Sequence, residues 1–408
     1  MKSEKLQFKI KNWKTVKLGK LIENIEIGGR PKGGALGVLR GIPSIGAEHL
    51  SQDGGFDFSS IKYVPESYFR DAKSGKIKEN DVLCVKDGAT IGKVSRVTKN
   101  FPYKQAMINE HVFIVRADNK ELDQVFLYYK LRTNEGRSYI INNIGGSAQG
   151  GLKKDFLNYW EILIPEDVNE QKRIAEILSV FDDKIELNNK ISRTLEEMAQ
   201  AIFKEWLLKN QKSKIKYQKS NDIELKNAED LFVFEKGIEP GSRYYSEIKK
   251  EGYLPFYRVR DLDKTSGVDV YIPEKIANGK ICEEGDVLLS LDATVGRIKI
   301  GCRGAFSSGI RKVYSKDGFI KKSFIYFWLK TPYVQNTILE HASGTTILHA
   351  GQSIKYLKFP FNKKIIEKIQ TKVDPLFIKI LQTMKENQTL SALRDLLLPK
   401  LMSGEIRV

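Results

Sequence analysis

The sequence predicts an α+β protein: two mixed α/β globules separated by two long helices, which pair within the chain as an antiparallel coiled coil and give it a pseudo-two-fold internal repeat. Three observations predict it. One segment of the first half recurs in the second, each copy opens with short apolar runs punctuated by Gly and Asp, and each closes with a long stretch of apolar residues at helical spacing.

The recurring segment is Asp81-Val-Leu-Cys-Val-Lys-Asp-Gly-Ala-Thr-Ile-Gly-Lys-Val94, answered by Asp286-Val-Leu-Leu-Ser-Leu-Asp-Ala-Thr-Val-Gly-Arg-Ile298, one residue shorter at the turn. Similar lead-ins precede both, Gly75-Lys-Ile-Lys-Glu-Asn80 and Gly279-Lys-Ile-Cys-Glu-Glu-Gly285. Further on, Gly146-Ser-Ala-Gln149 answers to Gly344-Thr-Thr-Ile347, and Ile164-Pro165 to Phe359-Pro360. The runs 81–85, 111–115, 286–291 and 309–314 read as strands bounded by turn residues. Polar helical patterns over 122–132 and 322–330 come after them. Each copy therefore begins with a globule of about 150 residues built on a twisted, mostly antiparallel sheet.

The stretch after each globule differs in kind. From Glu170 to Lys209 there is no Gly or Pro, and apolar residues fall at Ile174, Ile177, Phe181, Ile191, Leu195, Met198 and Ile202. Steps of three and four make a narrow seam for packing against another helix, and the polar intrusions Lys184 and Asn188 are candidates to fix its register. The second copy repeats the pattern at Ile369, Val373, Leu376, Ile380, Leu390, Leu397 and Leu401, with Pro375 inside it, where the helix is expected to begin or kink. The expected domains are 1–165 and 212–365 for the globules, 166–211 for the central helix and 366–408 for the C-terminal helix. At about 1.5 Å per residue, helices of 35 to 40 residues would run about 50–60 Å. That exceeds one turn of B-DNA, so the pair is expected to act as a ruler between the globules.

Charge says what such a chain meets. Its 408 residues hold 68 Lys and Arg against 51 Asp and Glu, a formal net charge of +17 that points to a polyanionic partner. At 41% hydrophobic and 10% aromatic residues the composition excludes disordered, collagenous and low-complexity classes. Three cysteines, Cys84, Cys282 and Cys302, are too few and too scattered for a disulfide framework or a zinc knuckle, which suits a reducing compartment. No run reaches the length of a membrane span, and the N-terminus lacks the pattern of a signal peptide. The expected location is the cytoplasm.

Catalytic motifs are missing. Gly88-Ala-Thr-Ile-Gly92-Lys93 has three residues between its glycines where a phosphate-binding loop has four, and Val94 stands where Mg²⁺ needs Ser or Thr. The second copy loses the Lys and the first Gly, so both read as tight strand turns. His49, His111, His341 and His349 lack the spacing of a zinc helix and read as isolated surface or core residues. Acid-to-Lys patterns at Asp118 to Lys120 and Asp182 to Lys184 read as solvated charge, and no Asn-Pro-Pro-aromatic or Asp-Pro-Pro-Tyr tetrapeptide of an amino-methyltransferase is present. No cofactor is expected in this chain.

Direct readout of DNA needs side chains that fork hydrogen bonds onto base edges, with further cations on phosphates. Such groups crowd the turns of both globules. In the first they are Arg30, Lys32, Lys86, Lys93, Lys104, Gln105, Gln149, Lys153 and Lys154. In the second they are Arg243 with Tyr244 and Tyr245, then Arg258, Arg260, Arg297, Arg303, Arg311 and Lys312.

The segments Leu187-Asn-Asn-Lys-Ile191, Ala201-Ile-Phe-Lys-Glu-Trp206 and Leu393-Arg-Asp-Leu-Leu-Leu-Pro-Lys-Leu-Met-Ser-Gly-Glu-Ile406 resemble the central and C-terminal helical regions of specificity subunits of type I restriction-modification systems. The opening Trp13-Lys-Thr-Val-Lys-Leu-Gly19 and the paired turns are similar to that family's target recognition domains, so the resemblance spans essentially the whole chain. It implies a non-catalytic reader of a bipartite, asymmetric double-stranded DNA target. Two methyltransferase subunits and ATP-dependent restriction subunits would be its partners, and they would use S-adenosylmethionine, ATP and Mg²⁺. The shorter second turn departs from the first, so equivalent contacts are not implied there. Two other readings remain open from the residues alone: a stand-alone DNA-modifying or DNA-cleaving enzyme with unfamiliar motifs, and a basic coiled-coil scaffold that binds RNA.

Overall fold

Both central strands of the duplicated segment are buried along their whole length, and the architecture of each half is built around that fact. The computed structural model describes residues 12–32, 34, 38–145, 150–216, 223–263, 267–344 and 348–408, with side chains described outside 207–216. Two compact units emerge, one from residues up to Asp183 together with Leu390–Val408, the other Lys184–Thr389.

In the first unit an antiparallel sheet runs in the order Ile22–Ile27, Val112–Ala117, Val82–Val85, Val94–Arg96. Successive residues of Val82–Val85 point to opposite faces. Val82 and Cys84 join the core formed with Phe126 and Leu127, while Leu83 and Val85 join a second core with Ile45 and Ile108. Burial on both faces explains why the strand reads as an unbroken apolar run. The second core lies against a smaller sheet, ordered Lys62–Val64, Ile42–Ile45, Met107–Ile108. Helices Gln124–Arg132 and Asn134–Asn142 come after the sheet, the first capped by Asp123, whose carboxylate accepts from the N–H groups of Val125 and Phe126. Trp13–Lys17 pairs with Glu161–Pro165 and ties the two ends of the globule together.

The second unit repeats the order of the larger sheet, adds a fourth strand, Ile281–Cys282, to the other, and carries a further pair, Asp292–Ala293 with Leu348–His349. Its sheet runs Phe232–Lys236, Ile310–Ser315, Val287–Ser290, Ile298–Lys299, with Val287 and Leu289 in one core and Leu288 in another. Tyr253–Tyr257 and Gly304–Phe306 pair in parallel, as Ile42–Ile45 and Met107–Ile108 do, and Glu224–Asn227 pairs with Lys358–Phe361. Helices Lys322–Leu329 and Pro332–Glu340 occupy the helical positions. All three cysteines are buried and free, and burial pushes the thiols of Cys84 and Cys302 up to about 12.

The central helix is Val168–Lys216 and the C-terminal helix Lys363–Met402. In the first unit Ile174 and Leu178 share a core with Leu398, Leu401 and Met402, with Ile177 and Leu397 partly buried beside them and Phe181 and Leu390 half-buried. Arg394 is 4% exposed and donates to the Asp182 carboxylate at 2.6 Å; the Tyr129 hydroxyl donates to the same carboxylate at 2.6 Å, and Arg132 lies 3.7 Å away. In the second unit the seam is polar at its centre. Asn188, 1% exposed, donates to Glu386 and Asn387, both at 2.9 Å, and Ser192 bonds Thr383 at 2.7 Å. Four residues forward on one helix meet four residues back on the other, which makes the pairing antiparallel. Lys184 sits at the rim, 3.4 Å from Glu386. Ile369, Val373 and Ile380 are buried, whereas Ile191, Leu195, Ile202 and Leu376 are half-buried.

Two expectations are corrected. Met198 is 51% exposed and turns away from the seam. Its neighbours Ala199, Phe203 and Trp206 are buried instead, because this stretch packs on the globule: Phe203 and Trp206 stand 4.8 and 5.6 Å from the Phe324 ring. Of the beginning or kink expected at Pro375, the beginning is excluded. The C-terminal helix starts at Lys363, since Ile366, Ile369 and Val373 are buried in the same core and hold the preceding turns helical.

Asp182→Ala takes the nearby carboxylate from buried Arg132 and one of two from buried Arg394, which keeps Asp395 at 2.9 Å, and removes the acceptor of the Tyr129 hydroxyl; it is expected to destabilise the protein by about 3–5 kcal/mol. Met198→Ala, on the exposed face, is expected to cost less than about 0.5 kcal/mol. Urea unfolding of both variants checks this; an Asp182→Ala loss below about 1 kcal/mol would show that the pair does not hold the seam.

Candidate nucleic-acid interface

Each buried central strand ends in the duplicated turn, so the turn is where the sheet first meets solvent. Gly88 and Gly92 take left-handed backbone, φ 84° and 83°, and Gly296 does the same at 83°. The second copy lacks the first glycine, and Ala293 adopts φ 61° in its place, a conformation that costs a residue with a Cβ about 1–2 kcal/mol. The turn's N–H groups point inward: Gly92 donates to Val85 at 2.9 Å and Gly296 to Ser290 at 2.9 Å. Spent in this way, neither of these two groups is offered to a phosphate.

Several candidate cations are engaged within the protein. Lys93 donates to the Leu50 carbonyl at 3.0 Å, and burial lowers its ammonium below the usual lysine range against the pull of Asp53. The corresponding Arg297 reaches the Val259 carbonyl at 3.4 Å and Asp263 at 2.5 Å. Lys93 and Arg297 thus clamp the same short helical turn, Ala47–His49 in one unit and Val259–Asp261 in the other. Arg258 pairs with Asp261 at 2.9 Å and lies 3.9 Å from Asp269. Arg311 donates to the Ser308 carbonyl at 2.6 Å, and burial lowers its guanidinium. Lys312 bridges to Glu235 at 3.0 Å.

The others face solvent. Lys32, Lys104, Gln105, Lys153, Lys154 and Arg260 are exposed; Arg303 is 75% exposed, 3.6 Å from Glu283, and Arg243 is exposed with its guanidinium 4.7 Å from the Tyr244 ring centre. Tyr244 and Tyr245 are half-buried. Gln149 lies outside the described residues, as do its repeat neighbours 146–148 and 345–347.

One cluster forms around the first turn. Arg30 lies 3.4 Å from Glu110, Glu110 lies 3.6 Å from His111, His111 bonds Asp87 at 2.5 Å, and Asp87 pairs with Lys86 at 2.5 Å. Burial works to raise the Asp87 carboxyl, but hydrogen bonds and charge from Lys86 and His111 hold it below the ordinary carboxylate range. The Lys86 carbonyl accepts from Leu152 at 2.7 Å, which sets Lys153 beside the same turn. In the second unit His349 bonds Asp292 at 2.7 Å. These two Asp–His pairs escaped the sequence reading; the one signal for them was that the repeat aligns Asp87 with Asp292. His49, by contrast, is a core residue whose Nδ1 accepts from the Gly46 N–H at 2.8 Å. Asp118 and Asp182 are spent on a turn and on Arg394, and the described residues hold no group of three or more His, Cys, Asp or Glu placed to bind a metal.

The type I restriction modification DNA specificity domain matches this chain twice, over residues 10–197 and 220–390. The chain belongs to the type I restriction-modification DNA specificity family. Among its relatives, the type I restriction enzyme MjaIX specificity subunit of Methanocaldococcus jannaschii is 30% identical and aligns over 69% of each chain. The putative MjaX specificity subunit of the same organism is 25% identical over 99% of each. The crystal structure of a type I S subunit from M. genitalium shares the fold, with a TM-score of 0.54, 20% identity and 97% of each chain covered. As a specificity subunit, the chain is the DNA-recognition component of its system and not a catalytic one.

The two sets of cations should separate on mutation. Lys153→Ala is expected to leave the unfolding midpoint unchanged and to reduce the dependence of log affinity for DNA on log salt by about one unit. Arg297→Ala removes a charged hydrogen bond and is expected to cost about 1–3 kcal/mol of stability. Thermal melts and DNA titrations at several salt concentrations, on the complex with its methyltransferase, test both; the reverse pattern would overturn the division.

Proposed function

We propose that each of the two units reads one half of a split, asymmetric DNA sequence through the loops around its duplicated turn, and that the paired helices set the unread spacer. The observation that supports this reading most is the double match of the DNA specificity domain, one copy spanning each duplicated turn on a chain of formal net charge +17. Arg and Lys there supply donors for guanine edges and phosphates, and Gln105 and Gln149 supply the paired donor and acceptor that suit adenine. Two methyltransferase subunits and the restriction subunits would dock on the chain. S-adenosylmethionine, ATP and Mg²⁺ would be held by those partners. The cytoplasm is the proposed location, and among the described residues no helix is long and apolar enough to cross a membrane.

Co-expression with its methyltransferase and subsequent sequencing of methylated DNA tests this. The expected result is one bipartite motif, of which substitutions at Lys104 and Gln105 alter a single half. Methylation that ignores this chain, or turnover of DNA by the purified chain alone, would contradict it.

A further inference from the structure

The two Asp–His pairs arise from positions that the repeat does not align. His111 heads the strand Val112–Ala117, and its carbonyl accepts from the Lys86 N–H at 3.0 Å. In the second unit the same place, with its carbonyl accepting from Leu291 at 2.9 Å, is held by Gly309. His349 bridges Asp292 in an antiparallel pair, and the matching bridge to Asp87 is made by Gly151. Each carboxylate is thus flanked by one histidine and one glycine, with the sides exchanged. A Cβ on Gly151 would lie 3.5 Å from that of Asp87, and one on Gly309 would lie 3.3 Å from that of Asp292. Different strands have delivered an imidazole to the same carboxylate of the same turn.

Exposure and tautomer give that imidazole a use. The His111 and His349 side chains are 48% and 63% exposed, so neither is needed to fill a core. An ionised carboxylate only accepts, so Nδ1 carries a proton in each pair, and the second ring nitrogen, Nε2, is an acceptor whenever the ring holds one proton. Around the first ring stand Asp87, Glu110, Lys86 and, through Glu110, Arg30; Glu110 lies 3.6 Å from Nε2, outside hydrogen-bond range. Beside the second stand Asp292 and Arg311. Lys and Arg can only donate, which suits base acceptors such as guanine N7 and O6. The amino groups of adenine and cytosine need an acceptor on the protein.

We propose that His111 and His349 are specificity-determining residues, one in each unit, whose carboxylate-oriented imidazoles accept a hydrogen bond from the exocyclic amino group of an adenine or cytosine in the major groove. This rests on the reading of the two units as half-site readers. Base contact and phosphate contact leave different marks, which makes the proposal testable on the complex with its methyltransferase. The probes are a duplex carrying the motif found by methylation sequencing and one of equal length lacking it. His111→Ala and His349→Ala are each expected to weaken binding to the motif duplex about tenfold while leaving the other duplex and the salt slope unchanged. Equal weakening on both duplexes, with the salt slope reduced by about one, would reassign the histidines to phosphate and overturn the proposal. Unchanged binding to both duplexes would remove them from the interface while leaving the half-site reading intact. A wild-type complex that does not prefer the motif duplex would sink that reading and the proposal with it.

Discussion

Each half of this protein depends on one constraint: a middle strand of one four-stranded sheet is buried on both faces and can present nothing to a ligand. Val82–Val85 and Val287–Ser290 serve two cores at once, so any group that reaches outward must come from the turn that ends the strand or from loops beside it. That turn does two jobs. Its terminal cation, Lys93 or Arg297, faces back and fastens a neighbouring helical turn, while its first acid, Asp87 or Asp292, takes a half-exposed histidine. A rigid base with variable loops around it suits a protein that must hold one architecture and differ in what it reads.

The helix pairing obeys another logic. Apolar residues hold the helices in the first unit around Ile174, Leu178, Leu398 and Leu401, yet Arg394 and Asp182 are placed among them. In the second unit Asn188, Ser192 and Thr383 occupy the seam itself. Buried polar pairs of this kind add less stability than apolar packing of the same volume, but they penalise a slipped register heavily, because every shift leaves an amide or a charge unmatched.

Much of this was legible in the amino-acid order. The duplication aligned strand with strand, and the helical seam could be read from its spacing because helix faces impose a period. Asn188 was visible as a polar intrusion, though its partners Glu386 and Asn387 were not. Met198 misled because the central helix changes neighbour along its length, from another helix to the aromatic cluster around Phe324, and periodicity does not say which surface a face will meet. Charge was legible without its destination: Lys93 looks like a DNA contact until Leu50, far back in the sequence, comes to lie beneath it. The histidines were hidden for a related reason, since the repeat aligns their carboxylates and not the imidazoles.

The central claim is that DNA meets both units at the duplicated turns. Hydrogen exchange of the methyltransferase complex, with and without its target duplex, tests it most directly. The account predicts slowed exchange upon DNA binding in the segments 86–93, 109–112 and 150–154 of the first unit and 291–297 and 348–352 of the second. Protection confined to other surfaces, with these segments exchanging as they do without DNA, would contradict it.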